Sequence, residues 1–256
     1  MIRDVKTSLA RKAAVATVVA AAAFGAAQAN AGVIQLGFIL DESGSIGSSN
    51  YSIIQNGLAN AINTLVPITG AYEISVVSFA TTAQTLVNHV LIDSAAARTS
   101  VANAILADTF SGGSTAMDAA FNAMATALIG STQVIDSTYV NFATDGVPNS
   151  QAAATTARNN MITNASVDNI SIEAIGAGVD AAYLQGSICY PQACDTTSPY
   201  NFPTQGFYIG VADAQGYADA IGNKIKVVTN QVPEPEMLVV FAIGLLGLGI
   251  MRRRAA

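Results

Sequence analysis

Three oxygen-bearing side chains stand two apart in the stretch FILDESGSIG: Asp41, Ser43 and Ser45. Side chains two apart point the same way along an extended chain, so the three can converge on one object. Two further segments offer the same chemistry. Thr115 closes FSGGST behind Gly112 and Gly113, which let the backbone approach closely, and Asp145 follows the run YVNFAT. Two carboxylates and three hydroxyls form an all-oxygen donor set. Such a set suits a hard cation, Mg²⁺, Ca²⁺ or Mn²⁺, and not zinc or copper. Asp41-x-Ser43-x-Ser45 alone also fits a capped turn. With the two other segments in order at strand ends, the metal reading is favoured.

The elements around these residues alternate. GVIQLGFIL is a near-continuous apolar run, as a strand covered on both faces requires. Ser48, Ser49 and Asn50 offer N-caps, and Tyr51, Ile54, Leu58, Ile62 and Leu65 recur at helical spacing. YEISVVSFA (72–80) and TLVNHVLI (85–92) read as strands, and helices follow over about 94–107 and 116–129. The stripe Met117, Phe121, Met124 and Leu128 on the second of these reads as core packing. STYVNFATDG is a strand running into Asp145, 151–164 a helix, 170–178 a strand, GFYIGVA another, and 214–229 a final helix. This order predicts an α/β fold, doubly wound, with a mainly parallel sheet flanked by helices on both faces. In such a sheet ligands sit beyond the carboxyl ends of the strands. Asp41 and Asp145 each close a strand, so both belong on that rim.

As they stand, these residues resemble the von Willebrand factor type A (vWA) domain and its metal-ion-dependent adhesion site, over residues 33 to 228. The resemblance implies that Ser43, Ser45 and Thr115 coordinate the ion through hydroxyls and that Asp41 and Asp145 often act through water. It also implies an open coordination position for a carboxylate on a partner. Neutral hydroxyls leave the ion electron-poor, so an incoming acidic group binds well. Glu42 is expected to face solvent from such a loop.

Both ends of the chain read differently. Arg3, Lys6, Arg11 and Lys12 precede the uncharged AAVATVVAAAAFGAAQA, which closes on Ala27-Gln28-Ala29. This is the layout of a secretory signal peptide, residues 1–29, with cleavage after Ala29 or Ala31. At the other end come Pro233, Glu234 and Pro235, an uncharged span from Met237 to Met251, then Arg252, Arg253 and Arg254. Fifteen residues of helix reach about 22 Å, short of a ~30 Å hydrocarbon core. The arginines would stay cytoplasmic. A permanent tail anchor is one reading. The order of the three parts over 229–256 resembles the PEP-CTERM sorting signal. That resemblance implies an exosortase-type membrane protease that removes the segment after transient anchoring in the inner membrane. The product would reside at the cell surface, outer membrane or extracellular matrix.

With both ends set aside, only Arg98, Arg158, Lys224 and Lys226 remain against fourteen acidic residues, an excess of ten negative charges. Nucleic acid and anionic lipid are bound through Lys and Arg, so neither is an expected partner. Cys189 and Cys194, in an insertion over 186–203 between the fifth and sixth strands, read as a small disulfide of an exported protein. SGSIG (43–47) resembles a nucleophile elbow but has Ser43 where the first Gly belongs. The single histidine, His89, lies in a strand-like run and reads as structural. Two functions compete on this sequence. One is an adhesion or binding module engaging a protein or glycan through a divalent ion. The other is a surface-polymer assembly factor or hydrolase with a structural or catalytic ion, although no base for hydrolysis is evident.

Overall fold

The computed structural model describes residues 32–229. The signal stretch, Pro233-Glu234-Pro235, the apolar span and Arg252–Arg254 lie outside the described residues. Among the described residues no helix is long and apolar enough to cross a membrane.

Six strands form one sheet in the order β3-β2-β1-β4-β5-β6. β1 (Val33–Asp41), β2 (Tyr72–Phe79), β4 (Ile135–Thr144), β5 (Asn169–Ile175) and β6 (Tyr208–Val211) run parallel, and β3 (Ala83–Leu91) is an antiparallel edge. Every residue of β1 and β2 is buried, which is why β1 reads as a near-continuous apolar run, while β2 also buries Glu73, Ser75 and Ser78. β1 and β4 are neighbours at the centre, and the chain winds outward from them in both directions. Their carboxyl ends therefore flank the switch point at which such sheets hold ligands.

Helices α1 (Ser48–Leu65), α2 (Ala95–Leu106) and α6 (Ala214–Thr229) cover one face. Ile54, Leu58 and Ile62 of α1 share a core with Tyr217, Ile221 and Ile225 of α6. The other face carries α3 (Met117–Leu128) and α4 (Gln151–Asn164). The short α5 (Ala181–Tyr183), which continues as a π-turn (Leu184–Ile188), lies there too. Met117, Phe121 and Met124 are fully buried there and pack with Phe142, whose ring lies 5.1 Å from that of Phe121. The methionine stripe is core.

Two helices begin on serine caps. Ser94 caps α2 by accepting from the Ala97 N–H, and Ser150 caps α4 by accepting from the Ala153 N–H. The start of α1 differs from expectation. Its cap is Gly47 at φ 72°, with no side chain capping, and Asn50 donates instead to the Ile46 carbonyl. Ser48, Ser49 and Asn50 are thereby already helical, so the helix starts one to three residues earlier than those caps would place it.

The insertion is displaced from the rim. Tyr190 bridges to Ile170 near the amino end of β5, and Asn169 donates to the carbonyls of Pro203 and Gln205 at 3.0 and 2.7 Å. Phe202 packs its ring edge-on against Tyr139, 4.8 Å between centroids. Cys189 and Cys194 are joined by a disulfide. This loop closes the end of the sheet opposite Asp41 and Asp145, and its Phe202, together with Phe207 just before β6, is buried in the core.

Candidate metal centre

Asp41 ends β1 with its carboxylate buried, 1% exposed. Its Oδ1 accepts from the Ser43 N–H at 2.8 Å and its Oδ2 from the Thr144 hydroxyl at 2.6 Å. Burial pushes the carboxyl up to about 6, against the opposing pull of the Ser43 and Thr144 hydrogen bonds, and the Asp145 charge adds to the rise. The Ser43 and Ser45 hydroxyls lie 3.1 Å apart, and Ser45 Oγ donates to Asp145 Oδ1 at 2.7 Å. Asp145 is also raised, chiefly by desolvation. A Cβ placed on Gly146 would lie 3.3 Å from Thr115 Oγ1 and 3.8 Å from Ser45 Oγ. Those two hydroxyls therefore flank one point. The structure brings Asp41, Ser43, Ser45, Thr115 and Asp145 to one rim, Ser43 inside and Ser45 exposed.

The surrounding loops are cross-tied. Gly44 donates to the Gly113 carbonyl at 2.9 Å. Gly113 has φ 107°, and a Cβ there would lie 2.3 Å from Thr81 Oγ1. Only glycine fits such a left-handed, crowded position. Asn149 holds the Thr115 peptide from both sides: its Oδ1 accepts from the Thr115 N–H and its own N–H donates to the Thr115 carbonyl.

Glu42 departs from expectation. It is 3% exposed, not solvated, and its Oε2 accepts from the Ser111 N–H at 2.9 Å. The β1 ladder continues through the Glu42 N–H to Phe79, which turns the side chain inward toward the segment leading to Thr115. Burial raises its carboxyl, with Asp108 nearby adding to the effect. Asp108 itself accepts from the Tyr51 hydroxyl and from Gln84. Glu42, Thr144 and Asn149 escape a reading of the sequence. Thr144 and Asn149 flank Asp145 in TDGVPNS, and that proximity is the one signal available.

The donors fit a hard divalent cation. They are all oxygens, two of them carboxylates held above their ordinary range by burial, and among the described residues no Lys or Arg is paired with either. Among the described residues no group of three or more His, Cys, Asp or Glu side chains is gathered for a metal, so any ion at the rim rests on hydroxyls as well as on its two carboxylates. His89 is engaged at the far end of the sheet, with Nδ1 2.9 Å from Glu73 Oε1 and Nε2 3.0 Å from the Ile129 carbonyl.

The model of the von Willebrand factor type A domain matches residues 12–202. The chain belongs to this family. A second model, the PEP-CTERM protein-sorting motif, matches residues 231–254, and such a motif marks an exported, surface-associated protein. The vWA match stops inside the insertion, although β6 and α6 complete the sheet and its helical cover beyond it. No curated protein matches the chain.

Solved structures share the vWA fold at low identity. Proximal thread matrix protein 1 from the mussel byssus is 16% identical with a TM-score of 0.59, covering 77% of this chain and 47% of its own. The pilus adhesin SpaC from Lactobacillus rhamnosus GG is 13% identical with a TM-score of 0.61, covering 80% and 32%. Manganese-loaded TRAP protein of Plasmodium vivax is 21% identical with a TM-score of 0.52, covering 76% and 73%. The chain thus spans less than half of the mussel protein and about a third of the adhesin. At these identities the likeness is one of fold.

Proposed function

We propose that this vWA protein is an exported adhesion module that engages a protein or glycan partner through a divalent ion. Ser43, Ser45 and Thr115 hold the ion through hydroxyls, and Asp41 and Asp145 supply its charge. Mg²⁺ is the expected ion, with Ca²⁺ or Mn²⁺ as hard alternatives. An acidic group on the partner completes the coordination. The observation carrying this reading is the 2.7 Å hydrogen bond from Ser45 to Asp145, which joins the ends of two central strands 100 residues apart. Also in its favour, the TRAP structure with this fold is manganese-loaded; one mussel structure holds zinc in its MIDAS motif, so sites on this fold take divalent ions beyond the hard ones expected here.

An exosortase-type protease acts on the C-terminal segment in this reading, after transient anchoring in the inner membrane. The product then resides at the cell surface, outer membrane or matrix. The single histidine is tied to Glu73 and Ile129 at the far end of the sheet, so it does not serve hydrolysis at the rim. The test is capture of surface material by the purified protein in Mg²⁺ and its release by chelator. Capture that is indifferent to chelator, or chelator-sensitive turnover of a hydrolysable substrate, would overturn the adhesion reading.

A further inference from the structure

A second polar cluster lies under α6 at mid-sheet, unrelated to the rim. Glu173 of β5 is fully buried, Lys224 of α6 is 5% exposed and Asn141 of β4 is 4% exposed. Lys224 Nζ lies 2.9 Å from Glu173 Oε1 and donates to Asn141 Oδ1. The ring of Phe207 covers the ammonium at 4.8 Å from its centroid.

As a structural ion pair this arrangement is poor. Both Glu173 oxygens lack a well-angled hydrogen bond, the close approach of Lys224 notwithstanding. Asn141 Nδ2 has no partner, and neither has the buried Tyr217 hydroxyl. Burying charges with orphaned polar atoms stabilises less than a well-packed apolar trio of the same volume. The three groups have a different chemical meaning together. An amine held against a carboxamide, with a carboxyl group beside both, has the parts for amide exchange.

We propose that Lys224 and Asn141 become joined by an intramolecular isopeptide bond, with Glu173 as the proton carrier. Lys224 Nζ, freed of a proton by the Glu173 carboxylate, adds to Asn141 Cγ, and a new C–N bond forms. Nζ then loses a second proton. One of the two stays on Glu173 and the other passes to Asn141 Nδ2. The Cγ–Nδ2 bond breaks and one ammonia departs. No oxidant, reductant or cofactor takes part.

The surroundings favour each stage. Desolvation lowers the Lys224 pKa and raises that of Glu173, so the pair leans toward amine and carboxylic acid. A desolvated lysine is a competent nucleophile, and fixed proximity replaces a bimolecular encounter. Beside Lys224 and Asn141 is a cavity of about 20 Å³, lined otherwise by groups such as Leu36, Phe38 and Val228. It has room for one molecule the size of water, and so for ammonia. The bond would tie α6 to a central strand across 83 residues.

The test is mass spectrometry of the purified, folded protein. The mass should be lower than that of the disulfide-bonded chain by one ammonia. Trypsin should fail to cut after Lys224 and should release peptide 99–158 joined to peptide 159–226. Glu173→Gln and Asn141→Ala should restore the full mass and cleavage after Lys224. The wild-type measurement stands alone if either variant fails to fold. An unreduced wild-type mass, a loss of ammonia mapping to another residue, or a full loss retained in Glu173→Gln would overturn the proposal.

Discussion

Thr144 Oγ1 donates to Asp41 Oδ2 at 2.6 Å, so the last residue of β4 holds the carboxylate that ends β1. Two adjacent parallel strands thereby share one polar junction under the candidate metal centre. The same Thr144 hydroxyl accepts from the Gly146 N–H at 3.2 Å, which sets the turn carrying Asp145. Thr144→Val keeps the shape and removes both bonds. Leaving a buried acceptor unsatisfied costs about 1–3 kcal/mol. The variant should melt earlier in chelator and bind Mg²⁺ more weakly. Unchanged melting and unchanged titration would show the junction to be incidental.

Asp145→Ala should abolish Mg²⁺-dependent binding and leave the fold intact. Asp41 and Asp145 repel each other in the metal-free protein, so apo stability should hold or rise slightly. Metal affinity should fall, because a hard cation draws much of its binding from anionic oxygens. Calorimetric titration and thermal melts on both proteins decide the matter. Undiminished Mg²⁺ affinity would rule out Asp145 as a ligand.

Glu42 ties the loop of Ser43 to the segment before Thr115 through the Ser111 N–H. Glu42→Ala should lose about 1 kcal/mol of stability and weaken Mg²⁺ binding by loosening the position of Thr115. Glu42→Gln retains an acceptor oxygen and should recover most of both. Equal losses in the two variants would mean that Glu42 acts through its charge instead.

Cys189 and Cys194 close a loop of five residues' separation at the end of the sheet opposite the rim. Chain-entropy reasoning assigns so short a loop about 2 kcal/mol. Cys189→Ser should lower the unfolding free energy by about that amount, read as an earlier thermal melt, and leave Mg²⁺ binding as in wild type. Labelling of both thiols in native, unreduced protein would refute the bridge.

Mature protein recovered from the surface should begin near Asn30 or Gly32 and end near Val232. N- and C-terminal peptide sequencing checks this. Intact peptides carrying Arg252–Arg254 in mature material would speak for a retained tail.

Much of this molecule is legible along the chain. The order of the six strands and the five longer helices follows from local periodicity, with boundaries within a few residues of their signals, whereas α5 and its π-turn carry no such signal. The five rim residues stand out because strand ends, short polar loops and glycine pairs are local features. Parallel winding then places strand ends together without further information.

Other features were decided only by the tertiary structure. Glu42 looks like any exposed acid in a loop, and its burial depends on a backbone bond to Phe79 from a neighbouring strand. The insertion carries no sequence mark of which end it covers; the bridge between Tyr190 and Ile170 settles it. Lys224, Glu173 and Asn141 sit on three separate elements, and each alone is unremarkable in its segment. Strand register puts Asn141 opposite Ser171 and Ala143 opposite Glu173, and helix packing lowers Lys224 onto both. Such meetings depend on register and crossing geometry between residues dozens of positions apart. Local periodicity carries no trace of them, because a side chain's neighbours across a sheet are chosen by the whole fold and not by its own segment.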